Sequence, residues 1–193
     1  MGQNVKIDYF TITSAGNASD FGDMINGQPG STGNRYPSCT DNGTNERGLA
    51  IGGGDSSSNM IQYVTINSTG NATDFGDLIN GYSTNASGAL SNSTNERGVV
   101  GGGVGTVNTI QYITINSTGN ATDFGDLTIA RNGLYSACSN GTGERGIFCS
   151  GNPAGAPRTR MDYITINSTG NATVFGAMRH ELIYAGGYSD CGT

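Results

Sequence analysis

Residues 110–127, IQYITINSTGNATDFGDL, are the stretch of sequence that decides the fold. The β-branched and aromatic run at 110–115 is typical of a strand, with Tyr112 and Thr114 on one face and Ile113 and Ile115 on the other. Residues 117–120 favour a turn, because Gly and Asn tolerate positive φ. The chain then returns in a short strand at 121–124. Since both faces of the first strand are at least half apolar, we expect a sheet packed between two neighbours.

This stretch occurs four times in the chain. Residues 61–78 match it at 17 of 18 positions, residues 161–178 at 13 and residues 7–24 at 12, and the starts lie 54, 49 and 51 residues apart. A period near 50 residues is typical of propeller blades. We therefore interpret residues 1–193 as a single repeat domain with units at about 7–60, 61–109, 110–160 and 161–193. One Tyr and one Phe per unit are the expected structural positions: Tyr9, Tyr63, Tyr112, Tyr163, Phe21, Phe75, Phe124 and Phe175.

The remaining part of each unit predicts two more strands, at 134–139 and 146–149 in the third unit. Four short antiparallel strands are the content of one propeller blade. Composition agrees, because Gly, Asn, Ser and Thr supply 94 of 193 residues while the chain has one Lys and four Glu. Long helices are close to excluded on that composition. The fold expected is all-β, with helix below about 10% against a usual 30% or more.

Charge and hydropathy exclude several classes of protein. The net charge is −6, and the nine basic residues are not clustered as nucleic-acid binding requires. No run of 18 apolar residues predicts a membrane insertion, and residues 1–6 lack the apolar core of an export signal. We therefore expect synthesis in a cytoplasm without a signal peptide. The four cysteines lack zinc-site spacing and are too few for a disulfide framework, which favours buried free thiols.

Two recurring charged motifs are candidate sites. The pairs Asp20/Asp23, Asp74/Asp77 and Asp123/Asp126 could serve a calcium ion or acid–base chemistry, although capping of turns is the favoured interpretation. Glu-Arg-Gly triplets start at residues 46, 96 and 144. The favoured interpretation is an ion pair at the start of a strand; the alternative is a row of arginines that binds a carboxylate or an acidic sugar. The candidate binding residues are therefore Arg47, Arg97 and Arg145.

Nothing in the sequence indicates catalysis. His180 is the only histidine, and a Ser-His-Asp mechanism would have to use it. The glycine triplet at 101–103 is followed by neither a helix nor a phosphate-binding lysine, so close packing between blades is the better interpretation. We expect no enzymatic activity, no metal and no cofactor.

The third unit resembles the kelch repeat. A kelch repeat has a glycine run that ends a strand, then a tyrosine strand, then an aromatic residue and an arginine. The corresponding residues here are 101–103, Tyr112, Phe124 and Arg131, with Phe in the place of the usual kelch Trp. Of the other units, the last one offers Arg179 at the arginine position. The resemblance implies a kelch-like β-propeller of about four blades, with three full units and one split between the termini, or an open arc of blades.

The amino-acid sequence of residues 7–24 and 61–78 also resembles repeat proteins among the virion structural proteins of marine and cyanobacterial phages. This second resemblance implies a tail or capsid appendage, located in the virion, whose partners are other virion proteins, copies of itself or a host surface glycan. The alternative is a non-viral adhesin or protein-interaction scaffold on the same propeller. A galactose-oxidising enzyme on this fold would need metal-ligating His and Tyr that the chain largely lacks.

The ends of the chain are predicted to complete each other. Residues 7–24 have no glycine-ended strand before them, and residues 182–187 form such a strand with no tyrosine strand after it. Unpaired edges invite aggregation. We therefore expect the two segments to pair, either within one chain or between neighbouring chains.

Overall fold

The computed structural model describes residues 6–25, 37–42, 46–52, 58–82, 87–92, 96–103, 105–134, 136–141, 144–153, 155 and 157–182. These residues form fifteen strands and no α-helix. The strands are β1 (Lys6–Tyr9), β2 (Ser19–Asp23), β3 (Ser38–Asp41), β4 (Arg47–Ile51), β5 (Ser58–Thr65), β6 (Thr73–Tyr82), β7 (Ser87–Ser91), β8 (Arg97–Gly102), β9 (Val107–Thr114), β10 (Thr122–Asn132), β11 (Ser136–Ser139), β12 (Arg145–Cys149), β13 (Asn152–Pro153), β14 (Arg160–Thr165) and β15 (Thr173–Ala177).

The strands form four antiparallel sheets that follow one another along the chain. Sheet 1 contains only β1 and β2. Sheet 2 has the order β3-β4-β5-β6, sheet 3 the order β7-β8-β9-β10 with the short β13 beyond β10, and sheet 4 the order β11-β12-β14-β15. The all-β prediction is thus confirmed, and each four-stranded sheet has meander connections.

The sheets are out of phase with the units drawn from the sequence. The four strands of sheet 2 run from residue 38 to residue 82, across the unit boundary at 60/61, and sheets 3 and 4 cross the next two boundaries in the same way. The period is unchanged because each sheet joins the end of one unit to the start of the next. The return strand is also longer than predicted: β10 extends to Asn132, where a short strand ending at Phe124 was expected.

Every Asp-Phe-Gly or Val-Phe-Gly sequence forms a β-bulge. In sheet 3, Asp123 pairs with Gln111 and Gly125 pairs with Ile110, so Phe124 is an extra residue without a partner. The same shift of register occurs at Phe21, Phe75 and Phe175. A bulged residue is left out of the ladder of its own sheet. Its backbone carbonyl is therefore available to a neighbouring element.

The core lies between the faces of successive sheets. One cluster joins sheets 2 and 3, and a second joins sheets 3 and 4. Packing is close enough to require glycine: a Cβ on Gly101 of sheet 3 would lie 2.9 Å from the ring of Phe148 in sheet 4, and one on Gly146 would lie 2.8 Å from Leu90. The first strands of the three complete sheets, β3, β7 and β11, lie alongside one another.

The predicted pairing of the chain ends falls almost entirely outside the described residues. Of the segment 182–187, the structure describes only Leu182, which is exposed. Strand β1 pairs with β2, and sheet 1 contains no other described strand.

Candidate functional site

The joints between successive sheets are the recurring site of this molecule. In each repeat stretch a turn connects the tyrosine strand to the bulged strand, and we call the seven residues before the bulged strand docking turns 1 to 4. They comprise residues 12–18, 66–72, 115–121 and 166–172. Docking turns 2, 3 and 4 each lie on the bulge of the preceding sheet, and they make the same hydrogen bonds there.

The bulged phenylalanine accepts the first of these bonds through its backbone carbonyl. The N–H of Gly119 donates to the carbonyl of Phe75 at 2.8 Å, and the N–H of Gly170 donates to Phe124 at 2.7 Å. In the joint of sheets 1 and 2, Gly70 donates to Phe21 at 2.8 Å. The bulge thus supplies the acceptor that the repeat needs for docking.

Two further bonds complete the backbone part of the joint. Ala121 donates to the carbonyl of Asp77 at 2.8 Å, and the N–H of Asp77 donates to Oδ1 of Asn120 at 3.0 Å. Asn71 and Asn171 accept in the same way from Asp23 and Asp126. The Asn of the docking turn therefore extends the edge of the preceding sheet. The sequence analysis assigned this Asn only to a turn and missed that function.

The glycine after each phenylalanine admits the docking turn. A Cβ on Gly76 would lie 2.4 Å from the carbonyl oxygen of Gly119, and one on Gly125 would lie 2.4 Å from that of Gly170. These glycines also have φ of +147° and +144°, a region that side chains rarely adopt. Gly176 of sheet 4 has the same conformation, but a Cβ there would meet only Cε of Met161, at 3.6 Å.

The arginines of the Glu-Arg-Gly triplets belong to these joints. The Arg47 guanidinium stacks on the ring of Tyr63 at 4.6 Å and donates to the carbonyl of Ile115 at 2.8 Å. Arg97 stacks on Tyr112 at 4.5 Å and donates to Ile166 at 2.9 Å. Both therefore hold the start of the next docking turn.

No ion pair joins the Glu and Arg of a triplet in the described structure, so the favoured sequence interpretation is wrong there. The arginines face tyrosine rings and backbone carbonyls instead. Arg145 stacks on Tyr163 at 4.7 Å, but it holds no docking turn among the described residues and is exposed. The three candidate binding residues thus divide into two that are engaged in joints and one that is not.

The glutamates act through their backbone. Glu96 and Glu144 adopt left-handed conformations, with φ of 66° and 63°, which are uncommon for residues other than glycine. Their carbonyls accept the N–H groups of Ile115 and Ile166, both at 2.6 Å. These bonds fix the first residue of the docking turn, whose own carbonyl accepts the arginine of the preceding sheet.

Asparagine side chains link the sheets next to the arginines. Nδ2 of Asn42 donates to Oδ1 of Asn116 at 2.9 Å, and Asn92 donates to Asn167 at 2.6 Å. Each of these donors also accepts the backbone N–H of the arginine of its own sheet, Arg47 or Arg97. Asn140 accepts in the same way from Arg145, at 2.9 Å.

A buried polar side chain on the tyrosine strand completes each joint. Gln62 and Gln111 accept the N–H groups of Ile25 and Ile79 at 2.8 and 2.7 Å. In sheet 4 this position is Asp162, which accepts Thr128 at 2.5 Å and forms an ion pair with Arg131 at 2.6 Å.

Both side chains of that pair are buried. Burial lowers the pKa of Arg131, and the Asp162 carboxylate opposes that shift. Removal of one member would leave an uncompensated charge in the interior. The kelch-like arginine of the sequence analysis is therefore a structural residue of the joint between sheets 3 and 4.

The aromatic pairs recur in all four repeats, but their burial differs. Tyr and Phe rings meet edge to face with centroids 6.1–6.2 Å apart. Phe75 and Phe124 are 3% and 2% exposed, whereas Phe175 is 45% exposed. The structure thus places the phenylalanine between sheets only where a following sheet covers it.

The other predicted positions form no site. Among the described residues no group of three or more His, Cys, Asp or Glu side chains could hold a metal ion. In the Asp pairs, Asp77 and Asp126 join the docking through their backbones, while the Asp23 carboxylate binds Lys6 at 2.9 Å and raises its pKa. His180 is exposed.

The cysteine prediction needs correction. Cys39, Cys138 and Cys149 are free thiols, but Cys39 is exposed and the other two are half-buried; Cys191 lies outside the described residues. Burial, with the neighbouring Cys138 as a smaller cause, raises the pKa of Cys149 to about 11.

The joint between sheets 1 and 2 has fewer contacts in the described part of the chain, where sheet 1 shows no counterparts of the two strands that carry Asn and Arg in the other sheets. A cavity of about 310 Å³ remains there, lined by Ile7, Leu49, Val64 and Ile66 among others. Ile66 is 39% exposed, while the equivalent Ile115 and Ile166 are fully buried.

No family model matches this sequence, and no curated protein matches it. Within the described part of the chain, no helix has the length and apolarity to cross a bilayer. A solved structure from Bacteroides thetaiotaomicron, of unknown function, is similar with a TM-score of 0.50 at 12% identity, over 78% of this chain and 34% of that one. The chain thus spans about a third of the length of that structure, and the likeness concerns the fold alone.

Proposed function

We propose that this protein is a non-enzymatic structural and binding component of a virus particle, a phage tail or capsid appendage built as an open arc of kelch-like blades. The observation that carries the proposal is the use of the repeated residues. The Asn, Gly and Ala of the docking turns and the arginines Arg47 and Arg97 contact the neighbouring sheet. Repetition of these joint-forming residues is expected of a protein with a structural role.

The blade interpretation is supported by sheet geometry. Three sheets are antiparallel meanders of four strands, their faces pack on one another, and their first strands lie side by side. Propellers combine the same three features. An arc fits better than a closed ring because Ile12 of sheet 1 and Phe175 of sheet 4 are exposed rather than packed together.

The assignment to a virus particle rests on the resemblance of residues 7–24 and 61–78 to phage virion proteins. Particle mass spectrometry tests it. Virions are purified by density gradient from a culture of the source, and peptides of this chain are quantified across the gradient. We expect the peptides to peak with the major capsid protein, at a ratio that stays constant on repeated banding.

A matched control is an abundant host protein of similar mass, which should be lost on repeated banding. Recovery of the peptides with host membranes or in the particle-free fraction would contradict the assignment and favour a non-viral adhesin. A host surface glycan is the second partner proposed, and binding of purified particles to host polysaccharide, with and without competing antibody to this chain, measures it.

A further inference from the structure

The two ends of the described structure are the two halves of one joint. Docking turn 1 in sheet 1 has the isoleucine, glycine, asparagine and alanine of a docking turn, yet among the described residues it contacts no preceding sheet. The bulge of sheet 4 has the conformation of a docking site, yet no described docking turn lies on it. We infer that docking turn 1 of one chain binds the bulge of sheet 4 of a second chain, so that the protein assembles head to tail.

The acceptor side is formed in sheet 4. Phe175 is bulged like Phe75 and Phe124, and its ring is 45% exposed where theirs are buried. A Cβ on Gly176 would make only an ordinary contact with Cε of Met161, at 3.6 Å, whereas one on Gly76 or Gly125 would lie 2.4 Å from the carbonyl oxygen of a docking turn. Arg145 is exposed and stacked on Tyr163, the conformation that Arg97 has when it holds Ile166.

The donor side is formed in sheet 1. Residues Ile12, Gly16, Asn17 and Ala18 are those that docking requires, since their counterparts in turn 3 are Ile115, Gly119, Asn120 and Ala121. Thr13 replaces the Asn of the other turns, so the side-chain bond to Asn140 would be altered.

Apolar exposure identifies the same surface. Ile12 is 89% exposed and Phe10 is 68% exposed. Their counterparts in sheets 3 and 4 are at most 3% exposed, because they pack on the preceding sheet: Ile113, Ile115, Ile164 and Ile166. Two large apolar side chains at one exposed sheet face indicate a contact surface rather than a solvated one.

Charge is also complementary between the two ends. Asp8 occupies the position of Asp162, directly after the same shift of register on its strand, and is exposed. Arg179 lies four residues after the bulged Phe175 and is exposed too, whereas Arg131 lies seven residues after the bulged Phe124. The joint of sheets 3 and 4 contains an ion pair of Arg131 with Asp162, and the open ends likewise carry one Arg and one Asp.

A second chain is the occupant that the structure supports. Within one chain, Ile12 and Phe175 remain exposed and thus do not cover each other. The contact would be heterologous, because different surfaces of the two chains meet, and such contacts form closed rings or open filaments. The inference rests on the structural role proposed above and gives that role a partner and a site.

Sedimentation velocity on the purified chain tests the inference, from about 5 to about 500 µM. We expect the mass to rise with concentration above the 19.8 kDa of one chain. Ile12→Asp removes the donor side without disturbing the fold, since that side chain is 89% exposed. Ala177→Pro removes the backbone N–H that would donate to Asn17, on an edge strand where proline is tolerated. Arg145→Glu alters the acceptor side too and leaves the backbone unchanged.

Each of these variants should remain at the mass of one chain. Val174→Asp is the matched control: it should associate as the wild type does, because Asp74 and Asp123 hold this position in joints that form. A mixture of Ile12→Asp and Ala177→Pro chains should give two-chain complexes that grow no further, since one intact donor meets one intact acceptor.

A wild-type chain that keeps the mass of a monomer throughout the range would overturn the inference. So would association that survives Ile12→Asp, or variants that fail to complement each other in the mixture. Particle mass spectrometry is independent of these results, so a failure of assembly and a failure of the virion assignment are distinguished.

Discussion

The joint between sheets 2 and 3 and the joint between sheets 1 and 2 use the same backbone bonds with different degrees of burial. Gly119 and Gly70 donate to the bulged phenylalanine of the preceding sheet at the same distance, 2.8 Å. Yet Ile115 is fully buried in the first joint, while Ile66 is 39% exposed in the second. The described part of sheet 1 has only the two strands of the repeat stretch, so among these residues no arginine reaches the joint, and a cavity lies there.

The comparison separates two features of the joint, the backbone hydrogen bonds and the burial of the isoleucine. The bulge and the docking turn suffice for the backbone bonds, and both are encoded within 18 residues. Burial of the isoleucine requires the two preceding strands, which bring the arginine and the asparagine. Sheet 4 has the bulge, Asn140 and Arg145, but no described docking turn lies on them, and this makes sheet 4 an internal control for these residues of the joint.

The largest expected effect concerns the bulged phenylalanine. Phe124→Ala should lower the free energy of unfolding by about 3–5 kcal/mol, the usual cost of truncating a buried Phe. Phe175→Ala should cost about 1 kcal/mol or less, because the ring is 45% exposed. Urea unfolding of both variants in dilute solution measures the difference. Equal losses would show that Phe124 does not depend on the following sheet.

A smaller effect is expected at the glycine of the bulge. Gly125→Ala should cost about 1–3 kcal/mol more than Gly176→Ala, since its Cβ would overlap the carbonyl of Gly170. Both glycines have positive φ, of 144° and 158°, so part of the backbone strain is common to the two variants. Thermal unfolding of monomeric protein gives the difference, and a negligible value would place the docking turn farther from the bulge.

A smaller difference in the free energy of unfolding is expected between variants of Arg97 and Arg145. Arg97→Ala should cost about 1–2 kcal/mol, since it removes a hydrogen bond to Ile166 and leaves that carbonyl without its donor. Arg145→Ala loses only a stack on Tyr163 at an exposed site and should cost about 0.5–1 kcal/mol. Chemical denaturation of the two variants compares them under one condition. A larger loss for Arg145 would contradict the role given to the Ile166 bond.

The smallest effect is a pH dependence at Cys149. Its pKa is raised to about 11 from 9.0, so the folded state keeps the thiol proton more tightly than the unfolded state does. The resulting stability is full below about pH 8.5 and is lost as the pH rises toward 11. The stability difference between wild type and Cys149→Ala should therefore shrink over that interval. A difference that grew with pH would reverse the sign of the shift.

Much of this fold could be predicted from the residues alone. The alternation in residues 110–115 correctly separates the buried Ile113 and Ile115 from Tyr112 and Thr114, and the composition excludes helices because few helix-forming residues are present. The bulge at Phe124 was not predicted, since a shift of register depends on pairing with Gln111 and not on local preference.

The joint could be predicted only in part. Asn120 reads as a turn residue because its local preference is the same whether or not its side chain caps a neighbouring sheet. One signal was available: the seven residues NSTGNAT are identical in three repeats, although a hairpin needs far fewer constraints. The triplet arginines were misassigned because the nearest opposite charge in sequence, the adjacent Glu, points elsewhere in space.

Residue-resolved amide hydrogen exchange at low protein concentration tests the account most directly. The N–H groups of Gly70, Gly119 and Gly170 should all be protected, roughly a hundredfold or more above that of Gly16, because only the first three are bonded to a bulged phenylalanine. Raising the concentration should protect Gly16 as well, once a second chain accepts its N–H. Exchange of Gly119 and Gly170 as fast as that of Gly16, or equal protection of all four in dilute monomer, would contradict the account.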